Sequence, residues 1–283
     1  MIRLRYVLCD VFTDRPLQGN PLAVFTDASG IKADTMQALA REMNLSETVF
    51  VLPARAGGQA RLRIFTPTRE LPFAGHPVLG AAFVIGDAVQ LDVLSLETER
   101  GVVPVHLVRR GARSTYGWME QPLPALVSTD EPSALLAALG VEAPALAVAR
   151  YDNGLPHAIV VLQSPDAVDQ LRPDAGALAR VAPGTVCVAA RRDPDWYARV
   201  FAPGCGVFED PATGSAAGPL ALHLARSGWI EFAQQIHIHQ GVALGRPSQL
   251  SCAVFGTRDA PHRVEVGGGG VLVARGEFRI AGS

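Results

Sequence analysis

A chain of 283 residues, 48% hydrophobic and 18% charged, carries enough apolar surface for a large core and exceeds the usual size of one domain, so two domains are expected. Its formal net charge of -2, with acids and bases spread along the whole sequence, excludes the basic stripe that a nucleic-acid binder sets against phosphates. Apolar runs such as residues 78–85 fall far short of about 18 residues, and the start Met1-Ile2-Arg3-Leu4-Arg5-Tyr6 has no signal-peptide pattern, so no membrane partner and a cytoplasmic location are expected.

In chain order, residues 32–43 read as a helix that leads into a strand at 48–52, and β-branched residues mark a strand at 60–65. A Pro/Gly turn then opens a small-residue helix over 77–84. A linker is expected near 111–117, followed by a short helix over 132–139. Further on come a strand at 196–201 and a second small-residue helix at 216–225. Residues 264–280 read as strands around Gly267-Gly268-Gly269-Gly270, taken as a turn.

The four cysteines, Cys9, Cys187, Cys205 and Cys252, form no C-x-x-C pair, so reduced thiols are expected. Lys32 is the only lysine and lies at an ordinary helix start. Schiff-base chemistry and a Walker-type phosphate loop both need a placed lysine, which argues against pyridoxal phosphate and nucleotide hydrolysis. His237 and His239 share one strand face, the spacing of a two-histidine metal site, but no third ligand stands near in sequence. No cofactor and no metal are expected.

The chain repeats itself once. Gly19-Asn20-Pro21-Leu22-Ala23-Val24 returns as Gly154-Leu155-Pro156-His157-Ala158-Ile159, and Arg63-Ile64-Phe65-Thr66-Pro67 returns as Arg199-Val200-Phe201-Ala202-Pro203. Glu70-Leu71-Pro72-Phe73-Ala74-Gly75 returns as Glu209-Asp210-Pro211-Ala212-Thr213-Gly214. The offsets are 135, 136 and 139 residues. A duplicated domain follows: an N-terminal repeat at 1–115, completed by a C-terminal strand at 273–283, and a second repeat at 116–272.

A position that serves only the fold can match in both halves, whereas chemistry can diverge, so the differences are the candidates. Glu47 lies between a helix and an apolar strand, and at an offset of 136 its counterpart is Pro183. Leu71 becomes Asp210, Ala74 becomes Thr213 and His76 becomes Ser215. Both turns put Gly75-His76 or Gly214-Ser215 at a helix start, where unpaired N–H groups and the helix dipole favour a carboxylate. Each residue also has a structural alternative. Glu47 fits a solvated acid at a strand edge. Asp210, Thr213 and Ser215 fit helix capping. His76, followed by Pro77, suggests a side chain turned outward, against which an isolated histidine is more often structural.

At these turns Phe73-Ala74-Gly75-His76-Pro77, Glu209-Asp210-Pro211-Ala212-Thr213-Gly214-Ser215-Ala216 and Gln240-Gly241-Val242-Ala243-Leu244-Gly245-Arg246-Pro247-Ser248 resemble the PhzF-like family of phenazine biosynthesis. So does Asp10-Val11-Phe12-Thr13 with Gly19-Asn20-Pro21. The resemblance covers nearly the whole chain. It implies the diaminopimelate-epimerase-like fold: two pseudo-symmetric α/β (α+β) domains, each a curved sheet or barrel around a central helix, with the site in the cleft. It also implies a homodimer. Two-thiol racemases of that superfamily carry a cysteine before the glycine of each turn; here Ala74 and Thr213 stand there, so the two-cysteine mechanism is excluded.

In PhzF-like isomerases the matching glutamate moves the proton, which carries over to Glu47, with His76, Asp210 and Ser215 assisting. The expected activity is cofactor-independent isomerisation of a small carboxylic acid. Gly75, Gly214, Ser215 and Thr213 would bind the substrate. A one-base epimerase of an amino or hydroxy acid, with Asp210 as the second base, and a non-catalytic small-acid binding protein are the alternatives.

Overall fold

The computed structural model describes residues 1–129 and 132–280. It begins with strands β1 (Ile2–Val11) and β2 (Asn20–Phe25), helix α1 (Ala33–Met43), and strands β3 (Glu47–Leu52), β4 (Ala60–Phe65) and β5 (Glu70–Leu71). Helix α2 (Gly75–Val89) and strands β6 (Val93–Thr98), β7 (Gly101–Arg110) and β8 (Arg113–Gln121) follow. β2 and β3 are parallel across α1, with Leu22 opposite Glu47, and β3 pairs antiparallel with β4.

Helix α2 is apolar on every side, and such a helix is stable only when enclosed. Residues from Gly75 through Val84 are all buried, and α2 packs against β1, β2, β3, β6 and β7. Helix α1 is amphipathic instead, turning Met36, Leu39 and Ala40 onto Phe25, Phe50 and Phe65. Phe25 and Phe50 stack with ring centroids 4.8 Å apart. Burial of each such ring contributes roughly 1.5–3 kcal/mol.

The second series holds β9 (Ala125–Ser128), α3 (Ser133–Leu139), β10 (Ala149–Asp152), β11 (Pro156–Val161), α4 (Pro165–Asp169) and α5 (Ala175–Val181). Then come β12 (Thr185–Arg192), β13 (Asp195–Ala202), β14 (Val207–Asp210), α6 (Gly214–Arg226), β15 (Ile236–Gln240), β16 (Ser248–Gly256) and β17 (Pro261–Ile280). The plan is the same. β11 and β12 are parallel across α4 and α5, with His157 opposite Thr185. Ser164 and Asp174 start those helices as N-caps, accepting hydrogen bonds from the N–H groups of Ala167 and Ala177. Helix α6, buried from Gly214 to Ala225, packs against β10, β11, β12 and β16. The chain divides into unit 1, Met1–Glu120 with the stretch from Gly267 onward, and unit 2, Gln121–Val266.

The duplication extends to an ion pair. In unit 1 the Arg63 guanidinium donates from Nε and Nη2 to the two Glu70 carboxylate oxygens at 2.6 and 2.5 Å and lies 5.2 Å from the Phe65 ring centroid. In unit 2 Arg199 donates likewise to Glu209 at 2.9 and 2.7 Å and lies 5.0 Å from Phe201.

Three sequence expectations change. The segment 111–117 is no linker: it forms the tip of the β7–β8 hairpin and the start of β8, whose partners run as far as Val105 opposite Met119. The tetraglycine is no turn either. It lies inside the continuous strand β17, where a Cβ at Gly270 would collide with the Phe83 ring of α2 and one at Gly267 with Trp118. Finally, the register makes Thr185, not Pro183, the counterpart of Glu47. Leu22 and His157 are equivalent in the repeated motif, and they sit opposite Glu47 and Thr185 respectively. Of the expected C-terminal strand 273–283, residues 281–283 lie outside the described residues.

Candidate active site

In unit 1 three polar side chains converge at the start of α2. Asn20 opens β2, Glu47 opens β3 and His76 is the second residue of the helix. His76 is 2% exposed, turned inward rather than outward. Its Nδ1 lies 3.3 Å from Asn20 Nδ2 and 3.4 Å from Glu47 Oε2. Burial pushes the imidazole down to about 3, so the ring is neutral near pH 7. With the Asn20 amide donating to Nδ1, the ring hydrogen sits on Nε2, which makes no hydrogen bond among the described residues. The N-cap position is Ala74, with no side chain able to cap, so the first N–H groups of α2 stay open to an anion.

Unit 2 repeats that helix start with other side chains. Thr213 is the N-cap residue of α6 yet makes no capping bond; its hydroxyl donates instead to Asp210 Oδ2 at 2.6 Å. Capping therefore does not explain Thr213, and Ser215 lies one residue inside the helix. The Gln240 side chain clamps the turn. Its Oε1 accepts from the Thr213 N–H at 3.1 Å, while Nε2 donates to the Asp210 carbonyl at 2.7 Å and to Thr213 Oγ1 at 3.1 Å. Asp210, Thr213 and Ser215 are all buried.

The structure thus gathers Glu47 with His76 and Gly75 in unit 1, and Asp210 with Thr213, Gly214 and Ser215 in unit 2. Sequence reasoning missed Asn20 and Gln240. The signal for Asn20 was in plain view: the repeat has Leu155 in its place, the same kind of asymmetry that singled out Glu47. Gln240 had no such marker. The paired histidines go elsewhere, His237 to Ser251 Oγ at 2.9 Å and His239 to Asp195 Oδ2 at 2.8 Å. Among the described residues no group of three or more His, Cys, Asp or Glu is placed to hold a metal ion, and no helix is long and apolar enough to cross a membrane.

Solved structures share this architecture. A hydroxyproline epimerase from Agrobacterium vitis matches with a TM-score of 0.67 at 12% identity, covering 97% of this chain and 92% of that one, a likeness of fold alone. A predicted epimerase from Pseudomonas aeruginosa matches with a TM-score of 0.84 at 33% identity over 98% of this chain and all of that one. Two like units, each with an enclosed helix that begins beside buried polar side chains, define an enzyme of the isomerase and epimerase class. Residues 9–276 match the PhzC-PhzF family, described as phenazine biosynthesis-like protein, and the chain belongs to that family. The trans-2,3-dihydro-3-hydroxyanthranilate isomerase of Pseudomonas aeruginosa is 46% identical over 272 residues, which is 96% of this chain and 98% of that protein. The enzyme of the same name from Pseudomonas fluorescens is 46% identical over 271 residues, again 96% and 98% of the two chains.

Proposed function

We propose that this isomerase acts on trans-2,3-dihydro-3-hydroxyanthranilate or a close cyclic analogue, with Glu47 as the group that moves the proton. The observation that carries the reading is the 3.4 Å approach of Glu47 Oε2 to the Nδ1 of a neutral, buried His76. Nδ1 already accepts from the Asn20 amide, so Glu47 stands beside a neutral, fixed ring rather than beside an imidazolium that would hold it as a carboxylate. The full-length identity to the two Pseudomonas isomerases supports the substrate class.

Glu47 takes a proton from a carbon beside the conjugated system and returns one to another carbon of the ring. The C–H electron pair enters the π system, the double bonds shift, and a new C–H bond closes the account with no oxidant, reductant or leaving group. His76 offers its Nε2–H to a substrate oxygen. In unit 1 the Gly75 N–H offers a donor to an anionic oxygen; in unit 2 the N–H groups of Gly214 and Ser215 offer the same, and Asp210, oriented by Thr213 and Gln240, suits a substrate amino or hydroxyl group. The same reading takes in a homodimer, as the family resemblance implies.

The test is turnover of trans-2,3-dihydro-3-hydroxyanthranilate, followed by the change in ring absorbance and by NMR of the product. A ring isomer is expected. Inversion at one carbon without double-bond movement would point to an epimerase, with Asp210 as second base. Binding without any change in the acid would reduce the chain to a binding protein.

A further inference from the structure

Pro219 lies inside α6, and a helix proline has no N–H to give to the carbonyl four residues earlier. That carbonyl belongs to Ser215. The missing donor is replaced from outside the helix: Asn153, in the turn from β10 to β11, donates its side-chain amide to the Ser215 carbonyl at 2.9 Å. Gln121 also donates to the neighbouring carbonyl, that of Gly214, at 2.7 Å.

Asn153 is in turn held. Its Oδ1 lies 3.1 Å from His157 Nε2, and His157 Nδ1 lies 2.6 Å from Thr185 Oγ1. All four residues are buried, with His157 at 0% exposed. Burial pushes His157 down to about 3, so the ring is neutral and one assignment satisfies every bond. The Thr185 hydroxyl donates to Nδ1, Nε2–H donates to Asn153 Oδ1, and the Asn153 amide donates to Ser215. A chain of bonds in one direction fixes each member's orientation. Thr185 and His157 stand where unit 1 has Glu47 and Leu22. The positions that carry the proton-moving group in one unit carry a support in the other.

We infer that Asn153, oriented by His157 and Thr185, is a positioning residue that sets the first turn of α6, and with it Ser215 and the open N–H groups of Gly214 and Ser215, by supplying the hydrogen bond that Pro219 cannot. The link to substrate rests on the function proposed above; the link to the helix does not.

Pro219 makes the test specific. Asn153→Ala should raise KM for the dihydroanthranilate at least about tenfold while kcat changes less than about threefold, since orientation of the carboxylate is lost and the proton-moving group is untouched. Pro219→Ala gives the helix its own donor, so Asn153→Ala with Pro219→Ala should bring KM back to within about threefold of Pro219→Ala alone. The backbone amide resonances of Gly214 and Ser215 should move in the single Asn153 variant and return in the double one. Asn153→Asp, which keeps the shape and the oxygen but not the donor, carries the same comparison if the alanine variant does not fold. Unchanged KM and unmoved resonances would overturn the inference, and so would an Asn153 defect that Pro219→Ala leaves in place. If the wild-type protein turns over no dihydroanthranilate, the functional reading fails, while the two amide resonances still decide the role of Asn153.

Discussion

Replacing Glu209 by Gln and, separately, Glu70 by Gln sets the same interaction in two environments. Both glutamates receive a bidentate arginine, with similar distances and a similar ring beneath the guanidinium. Burial differs. The side chains of Arg199 and Glu209 are 8% and 5% exposed, those of Arg63 and Glu70 23% and 27%. Removing one partner of a buried pair strands the other charge, at a cost of about 3–5 kcal/mol. A pair with water at hand loses about 1 kcal/mol or less. Arg199 also donates Nη1 to the carbonyls of Val168, Asp169 and Leu171, so it cannot swing out to solvent without giving up those bonds. At roughly 3 °C per kcal/mol for units of this size, Glu209→Gln should lower the melting transition of unit 2 by about 9–15 °C. Glu70→Gln should lower that of unit 1 by about 3 °C or less. Differential scanning calorimetry reads both. Equal shifts, or a larger one for Glu70→Gln, would refute the argument from burial.

Two further outcomes follow from other buried groups. His76 and His157 have folded values depressed to about 3, below the ordinary unfolded value near 6.5. Between those limits the unfolded chain binds more protons, so each histidine should remove about 1.4 kcal/mol of stability per pH unit as pH falls below about 6.5. Urea unfolding at stepped pH checks this; His157→Gln should flatten the acid limb, and an unchanged slope would contradict the burial of a neutral ring. Burial also raises three of the four thiols, Cys187 to about 12 and Cys9 and Cys252 higher still, and the Cys205 side chain is itself buried. Iodoacetamide at pH 8 should leave turnover within about twofold, because alkylation needs the thiolate; rapid inactivation would bring a cysteine back into the chemistry.

How far the sequence revealed the molecule depended on what each signal measures. The repeat was legible because Gly19 and Gly154, and Arg63 and Arg199, keep both identity and order, and the helices at 77–84 and 216–225 proved to be the cores of α2 and α6. Counting offsets failed between these landmarks. α1 in one unit is replaced by α4 and α5 in the other, and the register slips by two residues, from Pro183 to Thr185. Gly267 to Gly270 misled for a different reason. Glycine marks both turns and close approach, and only the position of the Phe83 ring tells which applies. Glu47, His76, Asp210 and Ser215 were visible as breaks in the repeat. The carboxamides of Gln240 and Asn153 were not, because a side chain that bonds backbone carbonyls such as those of Asp210 or Ser215 leaves no pattern in local sequence.

Whether Glu47 moves the proton is tested most directly by steady-state turnover of Glu47→Gln on trans-2,3-dihydro-3-hydroxyanthranilate. The amide keeps the size of the carboxyl group and its approach to His76 Nδ1, but it cannot take up a proton. Loss of a general acid–base group typically costs about a hundredfold or more in kcat. The expected result is that loss, with the fold intact and the dissociation constant for the acid within about threefold of wild type. Turnover close to wild type would contradict the account, whatever the substrate's binding mode.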